Sequence, residues 1–251
     1  MTRPALGWRA PSTPHTGTRL SLSRAALDAL PAAVDLEQHA PPIQDQQWLG
    51  SCVGHATARA LAIRLAFQGL SRELPSPLWL YRCAREALGT VDEDSGAIIA
   101  DALAAARERG FADEASWPYA LNIGGFTALP PRAAFDAAEH RRLITSEPLD
   151  YDVATWRWEL ASGHPLCVGI RVFDGIFHPD GEGRIDLPSG DAQGGHALCV
   201  TGYDDAREAL RIDNSWGTGW GVEGRGWLPY AYVRNPFWCG EIHAVRAVRT
   251  Q

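Results

Sequence analysis

Three residues in this 251-residue chain have the types and contexts that could form a nucleophilic site. Cys52 precedes a long apolar run and starts a predicted helix, where unpaired backbone N–H groups and the helix dipole favour the thiolate. His196 follows two glycines at the start of an apolar strand, and Asn214 ends another strand. Because neighbouring strands lie about 5 Å apart, the Asn214 amide can orient the His196 imidazole and leave its other nitrogen for Cys52. The pattern predicts a nucleophile, a base and an orienting group.

Taken singly, each of these residue types more often has a structural role, but their order and spacing together favour a catalytic one. Free cysteine is usually buried packing, and asparagine is common in turns. Here His196 lies within the window of about 130–150 residues after the cysteine that typifies papain and the cathepsins. Asn214 opens the octet NSWGTGWG, a highly specific motif. From about Val34 to Val248 the chain resembles the papain-like cysteine peptidases, and PSPLWLYRCAREALGTVDEDSGAIIADAL resembles a bacterial subgroup.

The resemblance implies a cleft between two lobes and a role for each residue of the motifs. Gln46, six positions before Cys52, completes an oxyanion hole with the Cys52 backbone N–H. Cys52 and His196 form a thiolate–imidazolium pair that makes a covalent acyl-enzyme, and Asn214 orients the histidine. Trp216 shields the hydrogen bond between His196 and Asn214 from solvent.

The same resemblance implies substrate contacts and shows where this chain departs from the family. Gly195, Ala197 and Gly96 are expected to line the side of the cleft that takes the acyl part, and Trp220 the leaving-group side. Two departures flank the nucleophile. Leu49 stands where many secreted members carry a disulfide cysteine, and Val53 replaces a large side chain.

Hydrophobic periodicity and turn residues indicate an α+β fold with helical and β-rich halves. Helices are predicted over the following ranges: 52–68, 77–88, 95–109, 132–142 and 152–162. After Gly163, short β-branched or aromatic runs alternate with turn residues, which is typical of strands. The expected organisation is an N-terminal extension (1–33) and a papain-like domain (34–251). Its helical lobe is expected over about 45–150 and its antiparallel, barrel-like β lobe over about 151–251.

Composition excludes several classes of function. The net charge is −7, and the basic residues, all arginine, are scattered rather than clustered, which argues against nucleic-acid binding. No CxxC pair or zinc-type spacing occurs, so neither a metal nor a cofactor is expected. Five cysteines cannot all pair, and no apolar signal segment or membrane-length run is present, so a cytoplasmic location without membrane association is expected. The expected partner is a peptide or protein substrate, and the oligomeric state is left open.

The sequence leaves two other functions open, and it also raises the roles of His55 and of residues 1–33. The acyl-enzyme could be passed to an amine, as in an acyltransferase or peptide ligase. The fold could also serve as a binding module, although Gln46, Cys52, His196 and Asn214 are all intact. His55 is expected to have a packing or hydrogen-bonding role because it lacks an orienting partner in a motif. Residues 1–33 are either disordered or lie over the cleft as an inhibitory segment.

Overall fold

The structure is a computed structural model that describes residues 3–250, apart from the side chain of Leu121. Its α-helices are α1 (Arg24–Asp28), α2 (Cys52–Phe67), α3 (Pro77–Ala87), α4 (Ile99–Glu108), α5 (Tyr119–Asn122), α6 (Arg132–Glu139), α7 (Val153–Ala161) and α8 (Tyr230–Val233). Its strands are β1 (Ala33–Asp35), β2 (Arg141–Pro148), β3 (Leu166–Val172), β4 (Gly194–Asp204), β5 (Ala209–Asp213), β6 (Arg225–Pro229) and β7 (Cys239–Thr250). Within residues 3–250, none of the helices combines the length and apolar character needed to span a membrane.

Helix α2 is the buried axis of the molecule. Every residue from Cys52 to Leu65 is buried, which agrees with its nearly all-round apolar sequence. Gly54 allows α2 to approach α3, since a Cβ at this position would lie 2.3 Å from the carbonyl oxygen of Pro77. The other face of α2 packs on β4 and β7. The nucleophile candidate therefore sits on the helix that joins the two lobes.

The β lobe is an antiparallel sheet with the strand order β2-β7-β3-β4-β5-β6. Strand β1 also pairs with β4, beyond the point where β3 ends. In the register of β4 and β5, Cys199 lies opposite Asp213. This register brings the start of β4, which carries His196, to the same edge as the residues that follow β5, which include Asn214.

Most predicted elements are present, and the differences have local causes. Helix α4 begins at Ile99 and not near Ser95, because Gly96 has a positive φ of 72° and Ala97 pairs as extended chain. The run YAYV is one of the aromatic runs after Gly163 that the sequence suggested as strands, but it forms α8 after Pro229. Strand β2 was missed because its burial is irregular and it pairs with β7 through two register shifts.

Residues 3–18, named here the cleft arm, lie along the molecule in extended conformation. Trp8 forms a parallel bridge with Ala97, and Thr18 forms another with Leu149. The short helix α1 follows, with the Ser23 hydroxyl accepting the Ala26 N–H at its N-terminus. Of the expected extension 1–33, the part that contacts the cleft is thus the arm.

Candidate active site

His196 and Asn214 meet at one edge of the sheet, as the motifs predicted. Nε2 of His196 donates to Oδ1 of Asn214 over 2.8 Å, and this oxygen also accepts the Ser215 N–H. The Trp216 ring stacks on the imidazole with ring centroids 4.4 Å apart. All three side chains are buried. The second imidazole nitrogen, Nδ1, has no hydrogen-bond partner within residues 3–250, which leaves it available to a thiol.

Cys52 is the first residue of α2 and is fully buried in this state. Burial raises the pKa of its thiol to about 12, although the backbone N–H groups of Ala197 and Gly7 act in the opposite direction. Burial likewise lowers the pKa of His196 to about 4, against the effect of its hydrogen bond to Asn214. Covered in this way, the pair is a neutral thiol and a neutral imidazole at pH 7. The thiolate–imidazolium pair stays a prediction for the uncovered cleft.

Gln46 lies beside the nucleophile with its amide held at both ends. Its Oε1 accepts from the Ser215 hydroxyl over 2.6 Å, and its Nε2 donates to the carbonyl oxygen of Leu49 over 2.9 Å. The same Nε2 donates to the carbonyl oxygen of Ala5 in the cleft arm over 3.1 Å. A main-chain carbonyl of the arm thus occupies the place where the oxyanion donor is expected to act.

Two side chains that sequence reasoning did not identify fix the loop around Gln46 and Cys52. The Tyr119 hydroxyl donates to the Gln46 carbonyl over 2.7 Å and lies 2.6 Å from the Ser51 hydroxyl. The Asp94 carboxylate accepts the Gly50 N–H at 3.0 and 3.1 Å and also accepts from the Tyr81 hydroxyl. This carboxylate joins the nucleophile loop to the Gly96 segment, beside the position where Leu49 replaces a disulfide cysteine. The signal available in the sequence was the loss of that cysteine.

The cleft arm pairs with both walls of the cleft through its main chain. Gly7 and Trp8 N–H groups donate to the Gly195 carbonyl over 3.1 Å. On the opposite wall, Ala97 N–H donates to the Gly7 carbonyl and Arg9 N–H to the Ala97 carbonyl, both over 2.8 Å. Gly96 was expected to line this side of the cleft, and the hydrogen bonds of this wall to the arm are made by its neighbour Ala97. Gly96 contributes space, since a Cβ there would lie 2.2 Å from the Gly7 carbonyl oxygen.

The Trp8 side chain fills a pocket at one end of this pairing. A Cβ at Gly169 or at Gly240 would lie 2.1 or 2.6 Å from its indole ring, so both positions require the absence of a side chain. At the base, Trp8 Nε1 donates to Glu241 over 2.9 Å. Glu241 also accepts the N–H groups at the start of α4 and pairs with His243 over 3.0 Å. The pocket is therefore apolar on its walls and acidic at its base.

The opposite end of the arm lies on the predicted leaving-group side. Arg3 and Pro4 share a groove with Trp216 and Trp220, and Trp220 Nε1 donates to the Ile176 carbonyl over 2.7 Å. His55 behaves as expected, with its ring edge against Tyr119 and Nδ1 3.1 Å from the Ser51 carbonyl. Among residues 3–250, no cluster of three or more His, Cys, Asp or Glu side chains is arranged to hold a metal ion.

Comparison with known families decides the relationship. The model of the papain family cysteine proteases matches residues 30–244. This chain belongs to the papain family. A peptidase C1-like protein of Acanthamoeba polyphaga mimivirus is 31% identical over 208 residues, which are 76% of this chain and 65% of that protein. The cathepsin B-like CP3 of Giardia intestinalis is 27% identical, over 73% of this chain and 62% of its own length. The chain thus spans just under two thirds of these two curated relatives.

Solved structures place the fold in the same family. Xylellain, a cysteine protease from Xylella fastidiosa, matches with a TM-score of 0.86 and 27% identity, over 99% of both chains. Procathepsin B S9 from Trypanosoma congolense matches with a TM-score of 0.71 and 18% identity, over 98% of this chain and 87% of that one. The papain-like α+β fold is therefore confirmed, and the likeness to xylellain agrees with the bacterial subgroup.

Proposed function

We propose that the protein is a cysteine endopeptidase whose catalytic pair is covered by its own cleft arm. The observation that carries this proposal is the arrangement of His196, Asn214 and Gln46 around the buried Cys52 at the start of α2. In the uncovered cleft, water returns to the thiol and the imidazole, and the pKa shifts caused by burial relax. The thiolate at Cys52 then becomes accessible as a nucleophile.

The reaction follows from the positions of these groups. The Cys52 sulfur attacks a peptide carbonyl carbon, and the oxyanion accepts hydrogen bonds from Gln46 Nε2 and the Cys52 N–H. His196 gives its Nδ1 proton to the leaving amine as the C–N bond breaks, and later takes a proton from the water that attacks the acyl-enzyme. Asn214 holds the imidazole throughout by accepting from Nε2.

The direction of the cleft arm supports an inhibitory role. Arg3 lies on the predicted leaving-group side, and Trp8 lies on the side expected to bind the acyl part. A substrate runs the other way, since its acyl part is N-terminal to the bond that is cut. The arm therefore places a carbonyl, that of Ala5, near Gln46 in the reverse chain direction, which does not suit cleavage.

A reducing compartment is also proposed for the protein. All five cysteines are free and buried, and Cys167 lies directly opposite Cys199 across β3 and β4 without a disulfide. Such a protein needs no oxidising environment for its stability. Measuring free thiols of the protein isolated under non-reducing alkylation would test this, and an oxidised Cys167–Cys199 pair would contradict it.

Peptide hydrolysis by the full chain and by Cys52→Ala tests the activity. The substitution is expected to abolish turnover and to leave the fold intact, because it removes one buried sulfur at a helix end. Hydrolysis that persists in Cys52→Ala would refute the assignment. Mass spectrometry of the products with and without an added amine separates hydrolysis from acyl transfer. A peptidase releases the free carboxylic acid, whereas an acyltransferase forms an amide between the acyl group and the added amine.

A further inference from the structure

A small pocket borders Asn214, the residue that orients His196. Its volume is about 10 Å³, which is close to the space that one buried water molecule needs. His55 and Arg59 line it from α2, one helical turn apart. Asp213 and Asn214 line it from the end of β5. These four residues are at least nine-tenths buried, so their polar groups depend on partners inside the protein.

Three side-chain nitrogens around this pocket lack a partner within the described part of the chain. They are Nε2 of His55, Nη2 of Arg59 and Nδ2 of Asn214. Leaving a buried polar group without a hydrogen bond destabilises the folded state, and native proteins rarely leave three such groups in one place. Their common location indicates one shared partner.

The chemistry of the three nitrogens defines that partner. His55 Nδ1 faces the Ser51 carbonyl, which only accepts, so Nδ1 carries the proton and Nε2 is an acceptor. Burial lowers the pKa of His55 to about 4, which keeps the ring neutral at pH 7. Arg59 Nη2 and Asn214 Nδ2 are donors only. A ligand for this site must therefore accept two hydrogen bonds and donate at least one.

Arg59 is itself rigidly held. Its Nε donates to the buried Asp213 carboxylate over 2.5 Å, and its Nη1 donates to the Pro42 carbonyl over 3.1 Å. Of the three guanidinium nitrogens of Arg59, Nη2 is the one without a partner within residues 3–250. Asp213 directly precedes Asn214 in the chain, so the ion pair anchors the end of β5 to the central helix. The direction of the free Nη2 donor is thus set by the fold.

We propose that a single buried water molecule binds here and that, through it, Arg59 and His55 act as positioning residues for the reaction. The water oxygen accepts from Arg59 Nη2 and Asn214 Nδ2. One of its hydrogens is donated to His55 Nε2, and the other is available to acceptors of the same pocket, such as Asp213 or Gln44. Water has the two acceptor and two donor sites that this arrangement requires, and the pocket has room for one such molecule.

The consequence for catalysis concerns the orientation of the Asn214 amide. His196 Nε2 must meet the amide oxygen, because a reversed amide would point two donors at each other. The Ser215 N–H is a second donor that requires Oδ1 on this side, and a water oxygen that accepts from Nδ2 holds the other end of the amide in place. The network therefore keeps Oδ1 directed at His196 and at the Ser215 N–H. This inference rests on the proposed peptidase activity only for its kinetic effect and not for the binding of the water.

A crystal structure of the full chain, at a resolution that shows ordered water, tests the site directly. One water within hydrogen-bond distance of Arg59 Nη2, Asn214 Nδ2 and His55 Nε2 is expected. A dry pocket, or direct bonds among the three nitrogens, would overturn the proposal. This readout does not depend on any activity.

The positioning role is tested by measuring kcat and KM of variants of the full-length protein that also carry Trp8→Ala, the substitution expected to uncover the cleft. Arg59→Lys keeps a positive charge for Asp213 but loses the Nη2 donor. We expect kcat to fall by about tenfold with little change in KM, an effect of the size that outer partners have at other catalytic centres. Arg64→Lys is the matched control, because Arg64 is a buried arginine on the same helix that bonds to the distant Gly163 carbonyl. His55→Leu, which removes the acceptor, should lower kcat in the same way.

The outcomes separate this inference from the proposed function. If the background variant hydrolyses peptides and both Arg59→Lys and His55→Leu match Arg64→Lys in kcat, the positioning role is wrong. If the background variant is inactive, the proposed function fails, and the crystallographic result alone decides whether the water site exists. If Arg59→Lys does not fold, the kcat of His55→Leu relative to that of Arg64→Lys tests the positioning role by itself.

Discussion

The indole N–H of Trp8 donates to the carboxylate of Glu241 over 2.9 Å, at the base of a pocket formed where Gly169 and Gly240 carry no side chain. Glu241 caps the start of α4 and pairs with His243, so the partner of Trp8 is fixed by two other elements. The tryptophan is only 6% exposed. One residue of the cleft arm is therefore as well packed as the core, which makes it the anchor of the covered state.

Replacing this anchor is expected to activate the protein. Trp8→Ala should weaken docking of the arm by roughly 3–5 kcal/mol, the usual cost of removing a buried tryptophan. Peptide hydrolysis should rise accordingly, by a factor set by how fully the arm is docked at the outset. Trp158→Ala is the control, because Trp158 is 37% exposed on α7. Equal rates for Trp8→Ala and the unmodified chain would mean that the arm does not inhibit.

Acid is expected to release the cleft arm. Covering the site lowers the pKa of His196 to about 4 by burial, and uncovering returns it toward the ordinary value of about 6.5. The covered state thus binds the proton less readily, so docking is strongest above about pH 6.5 and weakens as the pH falls toward 4. His15 adds to this, since burial lowers its pKa against the effect of its bond to Leu149. Burial raises the pKa of the Glu241 carboxyl, but the hydrogen bonds from His243 and Trp8 outweigh burial and hold this pKa below its ordinary value. Protonating the carboxylate at low pH therefore also weakens docking of the arm.

Hydrogen exchange of the amides of Gly7, Trp8 and Arg9 measures this release, because all three are bonded to the cleft walls. After correction for the intrinsic rate, their protection should fall between pH 6.5 and 4. The amides of β3, which stay in the sheet, provide the reference. Protection of the arm that is constant over this range would contradict the linkage.

The oxyanion donor can be tested by truncating Gln46. Gln46→Ala in the Trp8→Ala background should lower kcat/KM by about 10²- to 10³-fold, because one preorganised donor to the oxyanion is lost. Gln47→Ala is the matched control, as Gln47 is the exposed neighbour on the same loop. A loss in Gln46→Ala that is no larger than that in Gln47→Ala would place the oxyanion elsewhere.

The carboxylate of Asp94 is expected to hold the nucleophile loop. Asp94→Ala leaves the Gly50 N–H and the Tyr81 hydroxyl without their acceptor and should lower stability by roughly 1 kcal/mol, a value kept small because Asp94 is exposed to solvent. Chemical denaturation measures this loss, with Asp92→Ala as the control at an exposed neighbouring carboxylate. Identical midpoints for the two variants would show that the link does not matter to stability.

The sequence alone predicted the candidate catalytic residues and most of the elements that carry them. Cys52, His196 and Asn214 were recognisable because the chemistry needs these residue types, and the NSWGTGWG octet is too specific to arise by chance. Helix α2 was predicted because its near-continuous apolar sequence reflects burial on all sides. Errors occurred where local signals compete with tertiary pairing, as near Ser95, where Gly96 has a positive φ and Ala97 pairs with Trp8 before the helix begins.

Only the tertiary structure decided what surrounds these residues. The sequence left disorder or a cleft-covering segment open for residues 1–33, and in the structure the arm is hydrogen-bonded to Gly195 and Ala97. Asp94, Tyr119 and Arg59 act through partners more than forty positions away in sequence, so no local pattern reveals them. The motifs around Cys52, His196 and Asn214 are visible in the sequence because the reaction requires particular residue types. Supporting contacts depend on distances between segments, and those are fixed only when the helices and the sheet pack together.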